Sequence, residues 1–262
     1  HLDGNVTVPN NIAVYQYFIV RYDTNLDYIS SILLPITDGT GFPGSGYGQR
    51  FAYDENLNRY YLAGMRSYNI TAPLTPLTYG GKSFSERAYI LAINGNNGTE
   101  AWRREVYSQY SNGEPTGHDF RSLVIDSNSD VYVGGQIWKS LNEQNLKIYD
   151  PHNPTTTTYT FTPTPYSNLP TVIKFKSNGT VQWVKTPTAF APNYTTNTAL
   201  NSKGLALNGN EVAFGSSESY FVWDSFTLNY SQFYQPEPTL LRFDKQTGKT
   251  IDEAIALINK FY

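Results

Sequence analysis

Apolar and polar residues alternate along most of this chain, in short runs separated by turns rich in Asp, Asn and Gly. A period of two indicates β-strands, and the turn residues reverse the chain, so the pattern predicts β-hairpins. In four segments a polar turn usually holds Gly and the second strand often closes on an aromatic residue: FIVRYDTNLDYIS (18–30), YILAINGNNGTEAW (89–102), TVIKFKSNGTVQW (171–183) and TLLRFDKQTGKTI (239–251). Three other segments read strand, Asp/Asn turn, strand and Gly: RFAYDENLNRYYLAG (50–64), SLVIDSNSDVYVGG (122–135) and KGLALNGNEVAFG (203–215).

The two hairpin patterns alternate at a regular spacing. The turn of a first-pattern hairpin is followed by a second-pattern turn after 31, 32 and 32 residues. A second-pattern turn is followed by the next first-pattern turn after 40, 50 and 36 residues. One constant spacing and one variable spacing are typical of a repeated scaffold in which loops are inserted at one kind of connection between hairpins. Two hairpins per repeat make a four-stranded antiparallel unit, the blade of a β-propeller. The sequence therefore predicts one all-β, propeller-like domain over 1–262, with units at 50–105, 122–185 and 203–258 and half a unit at 15–34.

The stretch DSNSD (126–130) raises a choice between a calcium loop and a turn. Its acidic and amide residues are spaced two apart, as at the start of an EF-hand loop, but the sixth and twelfth positions are Val131 and Ile137 instead of Gly and a carboxylate. Asp and Asn also hydrogen-bond their own backbone and tolerate a left-handed φ, which suits a hairpin turn. Counterparts at Asp54 and Asn208 fall where a hairpin must reverse. We favour the turn.

The combination of VIDSNSDVYVGG with VIKFKSNGTVQW resembles the β-propeller repeats of the quinoprotein-like and seven-bladed-propeller families. The resemblance covers most of 18–258 outside the long loops. Its closing Trp is present at Trp102 and Trp183, and the alignment puts Ile29 and Ile251 at the same place in the other units. Such repeats occur in surface, adhesive and scaffold proteins as well as in enzymes, so the resemblance implies a fold rather than an activity.

Composition narrows the function classes. Charged residues make up only 16% of the chain, aromatic residues 15%, and the net charge is −3. There is no basic cluster to bind nucleic acid and no apolar run long enough to span a membrane. The absence of Cys excludes thiolate metal sites, thiol catalysis and disulfides. We therefore predict partners other than nucleic acid and no membrane span.

Several catalytic interpretations have partial support in the sequence. The turn INGNNGTEAW is close to the aspartate box of sialidases but lacks its Ser and Asp, and a terminal His1 with another His and a Tyr could bind copper. His118 and Asp119 could belong to a hydrolase, but no Gly-X-Ser-X-Gly elbow accompanies them. No pocket motif for a quinone is present. We predict no enzyme, no cofactor and no metal site.

Three long loops are rich in Tyr, Phe, Thr and Pro: YNITAPLTPLTYGG (68–81), YDPHNPTTTTYTFTPTPYSNLP (149–170) and SYFVWDSFTLNYSQFYQPEP (219–238). Exposed aromatic side chains offer contact area at little entropic cost, which suits protein–protein contact or stacking on sugars. The alternative is that these aromatic residues pack onto the rim of the sheets and only hold the loops in place. A sugar stacked on Trp138 or Trp223 would support a carbohydrate-binding role.

The chain begins with His, which a removed export signal explains most simply. Six Asn-X-Ser/Thr motifs, close to the number expected by chance, permit N-glycosylation of an exported protein. They lie at Asn5, Asn69, Asn97, Asn178, Asn193 and Asn229. Two of them, Asn97 and Asn178, fall in equivalent hairpin turns. We predict an extracellular or cell-surface location with these six residues as glycosylation sites.

Three and a half units leave open sheet edges, whose unpaired N–H and C=O groups recruit other strands. Either the chain is a piece of a longer protein, or a neighbouring copy completes the sheet, with 1–16 or 252–262 as the exchanged segment. Repeated head to tail, such a contact builds a filament. The sequence thus predicts a self-assembling structural or adhesive protein whose partners are other copies of itself, with glycans as a second candidate. The alternative is a carbohydrate-binding module or a glycan-active enzyme on a propeller scaffold.

Overall fold

The computed structural model describes residues 17–37, 50–65, 77–107, 119–139, 145–153, 159–162, 167–190, 204–218, 221–227 and 237–255. All regular elements in these ranges are strands: β1 Phe18–Tyr22, β2 Tyr28–Leu33, β3 Ile36–Thr37, β4 Phe51–Asp54, β5 Arg59–Met65, β6 Thr78–Tyr79, β7 Lys82–Ser83, β8 Ala88–Asn94, β9 Glu100–Tyr107, β10 Asp119–Ile125, β11 Val131–Lys139, β12 Leu146–Tyr149, β13 Tyr159–Phe161, β14 Ser167–Phe175, β15 Val181–Lys185, β16 Ala189–Phe190, β17 Gly204–Asn208, β18 Glu211–Glu218, β19 Phe221–Trp223, β20 Phe226–Thr227, β21 Glu237–Asp244 and β22 Thr250–Ile255. The prediction of an all-β fold is confirmed.

The strands form antiparallel sheets in chain order. The first sheet is the hairpin β1-β2, the second is β13-β12-β9-β8-β5-β4, the third is β10-β11-β14-β15 and the fourth is β17-β18-β21-β22. Two small sheets, β3-β6-β7 and β16-β19-β20, lie in the connections. Each predicted four-stranded unit therefore corresponds to one sheet, and the predicted half unit is the two-stranded first sheet.

The long loops contribute strands that the repeat pattern did not predict. Strands β12 and β13 pair in sequence onto the outer strand β9, which widens the second sheet from four strands to six. Their alternating burial, with Leu146 and Ile148 in the core, shows that this loop segment behaves as an ordinary half-buried strand. Loop insertion thus extends a sheet instead of leaving the fold unchanged.

A β-bulge follows one equivalent turn in each of the four sheets and changes the predicted alignment of the units. In the strand after that turn the register skips one residue: Ile29, Ala101, Gln182 and Ile251. The residue after the bulge is Trp102 in the second sheet and Trp183 in the third. Ser30 and Asp252 occupy that position in the first and fourth sheets, so the placement of Ile29 and Ile251 there was wrong. The bulged isoleucines are exposed, as a residue outside the ladder is expected to be.

Two hydrophobic cores connect the sheets in series. One holds Ile19 of the first sheet with Tyr60 and Leu91 of the second. The other begins on the opposite face of the second sheet, with Tyr61 and Ile90, and continues through the third and fourth sheets. Because neighbouring residues of a strand point to opposite faces, β5 and β8 supply both cores at once. The second sheet is therefore covered on both faces.

Candidate functional site

Asp126 forms the turn that the sequence analysis favoured over a calcium loop. Its Oδ1 accepts hydrogen bonds from the backbone N–H groups of Asn128 and Asp130, at 2.9 and 3.0 Å. Its Oδ2 accepts from the Tyr132 hydroxyl at 2.9 Å and lies 3.5 Å from Lys245 Nζ. The carboxylate is thus engaged with the turn and its neighbours, which confirms the turn interpretation.

Asp244 forms the same kind of turn in the fourth sheet and gives it a pH dependence. The Thr247 hydroxyl and the Thr247 and Gln246 N–H groups donate to its Oδ1. These bonds, that from the Thr247 side chain first, hold the pKa of Asp244 below its ordinary value of 3.8.

The turn of the fourth sheet should therefore weaken in acid. A depressed folded pKa stabilises the protein fully above pH 3.8, and that contribution disappears as the pH falls through the folded value. The variant Asp244→Asn keeps an oxygen acceptor but has no carboxyl proton to gain. We expect the stability difference between wild type and this variant to shrink below pH 4 in urea titrations. A difference that does not vary with pH would contradict the assignment.

The joint between the second and third sheets consists of a tryptophan and an arginine that bind the turn of the next sheet. Trp102 Nε1 donates to the Ser177 carbonyl at 2.8 Å, and Arg104 Nε donates to the Gly179 carbonyl at 2.8 Å. Gly179 has φ +82°, and a Cβ there would lie 2.7 Å from Trp102 Cδ2. Only glycine combines this backbone conformation with so close an approach to the ring.

The joint between the third and fourth sheets repeats this arrangement. Trp183 Nε1 donates to the Lys245 carbonyl at 3.2 Å, and Lys174 Nζ donates to the same carbonyl at 3.1 Å. Gly248, at φ +70°, would place a Cβ 2.7 Å from Trp183 Cδ2. In both joints a turn of the later sheet packs on an aromatic face of the earlier sheet, and in the joint before them the turn glycine of the second sheet, Gly98, lies against Ile32 of the first sheet. Each sheet thus has one face, which carries the turn, toward the sheet before it and the opposite face toward the sheet after it. We call these its leading and trailing faces.

The trailing face of the fourth sheet is open. Leu240 is 43% exposed there, whereas Ile90 and Val172, at the same register position of the second and third sheets, are completely buried. Beside it, Arg242 is partly exposed and forms loose ion pairs with Glu211 and Asp252, at 3.6 and 3.7 Å. The trailing faces of the first three sheets are each covered by the following sheet, and within the described ranges no sheet covers that of the fourth.

The leading face of the first sheet is also open, and it is apolar. Phe18 and its cross-strand partner Leu33 are 39% and 48% exposed. Val20 and Tyr22, two and four residues along the same face, are partly exposed, whereas the equivalent residues of the other sheets are completely buried: Leu91, Ile93, Ile173, Phe175, Leu241 and Phe243. Each end of the series of sheets therefore exposes surface that is core elsewhere.

A buried ionic cluster that the sequence analysis missed lies on strand β9 of the second sheet. Arg103 is fully buried; its Nε pairs with Glu105 Oε1 at 3.2 Å without hydrogen-bond geometry, and its Nη2 donates to the Ser83 carbonyl at 2.9 Å. Its guanidinium stacks on Phe84, 3.9 Å from the ring centroid. His152 Nε2 lies 3.1 Å from Arg103 Nη2 and 2.8 Å from Glu100 Oε1. The cluster ties two inserted loops to strand β9.

The same region contains a hydrogen-bonded pair of a tyrosine and a glutamate. The Tyr149 hydroxyl donates to Glu86 Oε1 at 2.9 Å. Burial first, and then the carboxylates of Glu86 and Glu105, raise the pKa of Tyr149 far above its ordinary value of 10.0. A phenol held in this way stays protonated, and Glu105 is occupied by the N–H groups of Ser85 and Glu86. The geometry suits a structural donor more than a nucleophile.

The described aromatic residues of the long loops pack inward. Tyr79, Phe221 and Trp223 are completely buried, and Trp223 contacts Phe243 with ring centroids 5.5 Å apart. Trp223 therefore presents no ring on which a sugar could stack. Trp138 is half-buried in strand β11. For these residues the alternative in which aromatic side chains hold the loops in place is the correct one.

Two of the six predicted glycosylation sites lie in the described residues. Asn97 and Asn178 are exposed in the second turns of the second and third sheets. Asn97 Oδ1 accepts from the Thr99 N–H and hydroxyl, and Asn178 Oδ1 accepts from the Thr180 N–H. Asn5, Asn69, Asn193 and Asn229 lie outside the described residues, as do His1 and His118.

In the ranges that the structure covers, no group of three or more His, Asp or Glu residues could hold a metal ion. In the same ranges, no helix is long and apolar enough to cross a membrane.

Comparisons with known proteins show distant structural likeness. No protein-family model matches the chain, and no curated protein matches it. The fold is similar to that of BamB from Moraxella catarrhalis, with a TM-score of 0.27 and 12% sequence identity over 90% of this chain and 67% of BamB. It is also similar to the rhamnogalacturonan lyase YesW, with a TM-score of 0.22 and 12% identity over 80% of this chain and 42% of the lyase. The chain thus spans less than half of the lyase, and scores this low transfer no function.

Proposed function

We propose that this protein is a secreted or cell-surface structural subunit, adhesive or filament-forming, that assembles with copies of itself through its two open ends. The observation that carries the proposal is the exposure of Leu240 at a position that is completely buried in the two preceding sheets. Exposed apolar surface at an unpaired sheet face is characteristic of an interaction site. Because the two ends differ, a contact between them is head-to-tail and extends into a chain of subunits unless it closes.

The side chains exposed at the two described ends favour contact with another protein surface. Apolar side chains dominate the leading face of the first sheet, including Phe18 and Leu33. On the opposite end, Arg242 lies between Glu211 and Asp252, so charges of both signs are mixed beside Leu240. Such surfaces lose little when they are removed from water, which favours protein–protein association over the binding of a charged polymer.

A lysine on the leading face tests the proposal. We expect Leu33→Lys to weaken self-association by roughly tenfold or more, because an ammonium group would be removed from water in an apolar contact. The measurement is sedimentation velocity over a range of concentrations, with electron microscopy of the assemblies. The matched control is Leu57→Lys, since Leu57 is 43% exposed in the turn between β4 and β5, away from both ends. A wild-type protein that remains monomeric at every concentration would refute the proposal.

Export is tested separately, on the native protein. We expect peptide mapping to find glycans on Asn97 and Asn178, because both side chains are exposed in turns that an oligosaccharyltransferase can reach. Asn96, exposed in the same turn but outside the motif, serves as the internal control. Unmodified Asn97 and Asn178 would remove the main support for an exported glycoprotein.

A further inference from the structure

We propose that the fourth sheet of one copy receives the first sheet of the next copy in the geometry of the internal joints, and that Leu26 fills the space that aromatic side chains occupy inside the chain. The inference rests on the proposed self-assembly and specifies its contact. The partner is a second copy of this chain. The receiving face and the entering turn both have the register of the repeat, but the face has smaller side chains than the internal joints and the turn has a larger one.

The entering turn is larger than its internal counterparts. Leu26 has φ +68°, the left-handed conformation found at Gly98, Gly179 and Gly248 in the equivalent turns. Those glycines are buried against the preceding sheet, whereas Leu26 is 76% exposed. A leucine is disfavoured in this conformation, and its apolar side chain points away from its own sheet's core. The turn of the first sheet therefore carries a protruding side chain where each internal turn has none.

The receiving face has smaller side chains than the corresponding faces of the second and third sheets. At the Trp102 and Trp183 position the fourth sheet has Asp252. On β18, separated from the strand of Asp252 by β21, it has Ala213, where the second and third sheets have Tyr61 and Tyr132. The tryptophan that covers the joint glycine and the tyrosine that packs against this tryptophan are thus both replaced by smaller side chains. The volume removed from this face complements the leucine added to the turn.

The polar part of the joint is retained. Arg242 lies at the register position of Lys174, whose Nζ donates to the Lys245 carbonyl in the next turn. The residue of the first turn that corresponds to Lys245 is Thr24, which is exposed. In the intermolecular joint, Arg242 donates to the Thr24 carbonyl of the next copy. The long arginine side chain reaches this carbonyl, and its guanidinium keeps several donors for Glu211 and Asp252.

The two faces belong to different copies. Within one chain, Leu26 and Phe18 at one end and Leu240 at the other are all exposed, so the ends do not cover each other. The second and third sheets lie between them and fill the internal joints. A second copy extends the same joint without any rearrangement of the described sheets.

Disulfide trapping tests the contact directly, since the natural chain contains no Cys. In the internal joint a Cβ at position 248 would lie 3.0 Å from Trp183 Cγ, which places the two Cβ atoms within about 4.5 Å, a distance that a disulfide spans. We expect an oxidised mixture of Leu26→Cys and Asp252→Cys proteins to form covalent dimers on non-reducing gels. The double variant should form a ladder of multimers. The control pair, Leu57→Cys with Asp252→Cys, should remain monomeric.

Each outcome decides between explanations. A double variant that cross-links within a single chain shows closure of the chain on itself and overturns the inference. Wild-type assemblies without trapping between positions 26 and 252 overturn this contact but leave the proposed self-assembly intact. A wild-type protein that stays monomeric and cannot be trapped overturns both. As a check independent of cysteine, Leu26→Ala should weaken association by roughly tenfold while Leu57→Ala should not, since only Leu26 is removed from water at the contact.

Discussion

Replacing Trp183 with alanine should lower the free energy of unfolding by about 3–5 kcal/mol, among the largest effects that a single substitution can have in this fold. The indole is 7% exposed and packs against Tyr132 and Gly248, so its loss leaves a cavity at the joint between the third and fourth sheets. Guanidinium unfolding followed by circular dichroism measures the change and does not depend on the removed fluorophore.

The conservative variant Trp183→Phe separates packing from hydrogen bonding. It keeps an aromatic ring but removes the Nε1 donor to the Lys245 carbonyl, and Lys174 still donates to that carbonyl. We expect a loss of about 1–2 kcal/mol, smaller than that of the alanine variant. A Trp183→Ala protein as stable as wild type would show that the sheets do not depend on this joint.

Replacing Arg103 with methionine should cost about 3–5 kcal/mol, because it leaves the buried Glu105 carboxylate without its counter-charge. The methionine fills much of the volume of the arginine side chain. The loss of stability therefore comes chiefly from the missing charge and from the missing hydrogen bonds to the Lys82 and Ser83 carbonyls. The measurement is the same unfolding titration at neutral pH.

The double variant Arg103→Met with Glu105→Gln is the control for this prediction. The amide still has an oxygen to accept the Ser85 and Glu86 N–H groups but carries no charge. We expect it to be clearly more stable than Arg103→Met alone, the non-additivity that a coupled pair produces. If the two changes add, the ion pair is not the reason for the loss.

The hairpins were predictable because their signals are local. Period-2 alternation, Asp or Asn at the reversal and Gly near it all act within about a dozen residues. Four of the six strands of the second sheet lie mainly within 50–105, and the strands of the third and fourth sheets lie mainly within 122–185 and 203–258. The turn at Asp126 was interpreted correctly for the same reason, since its hydrogen bonds stay within the turn and its neighbours.

The register beyond each turn was less predictable. A bulge inserts one residue without an obvious sequence signal, so Ile29 and Ile251 aligned with the closing tryptophans although Ser30 and Asp252 occupy that position. One residue changes the face on which a side chain lies. The weak signal that could have identified it is the exposed, non-aromatic residue that precedes Trp102 and Trp183.

Taken alone, the sequence determined the all-β class, the order of hairpins and the four repeated turns, because each of these depends on neighbours along the chain. Only the tertiary structure decided which surfaces are buried. It placed Arg103 and Glu105 in the interior, because inserted segments distant in sequence cover strand β9. It also left Leu240 exposed although its equivalents Ile90 and Val172 are buried. Burial at this position depends on whether another sheet lies opposite, and the residues of the strand itself do not indicate that.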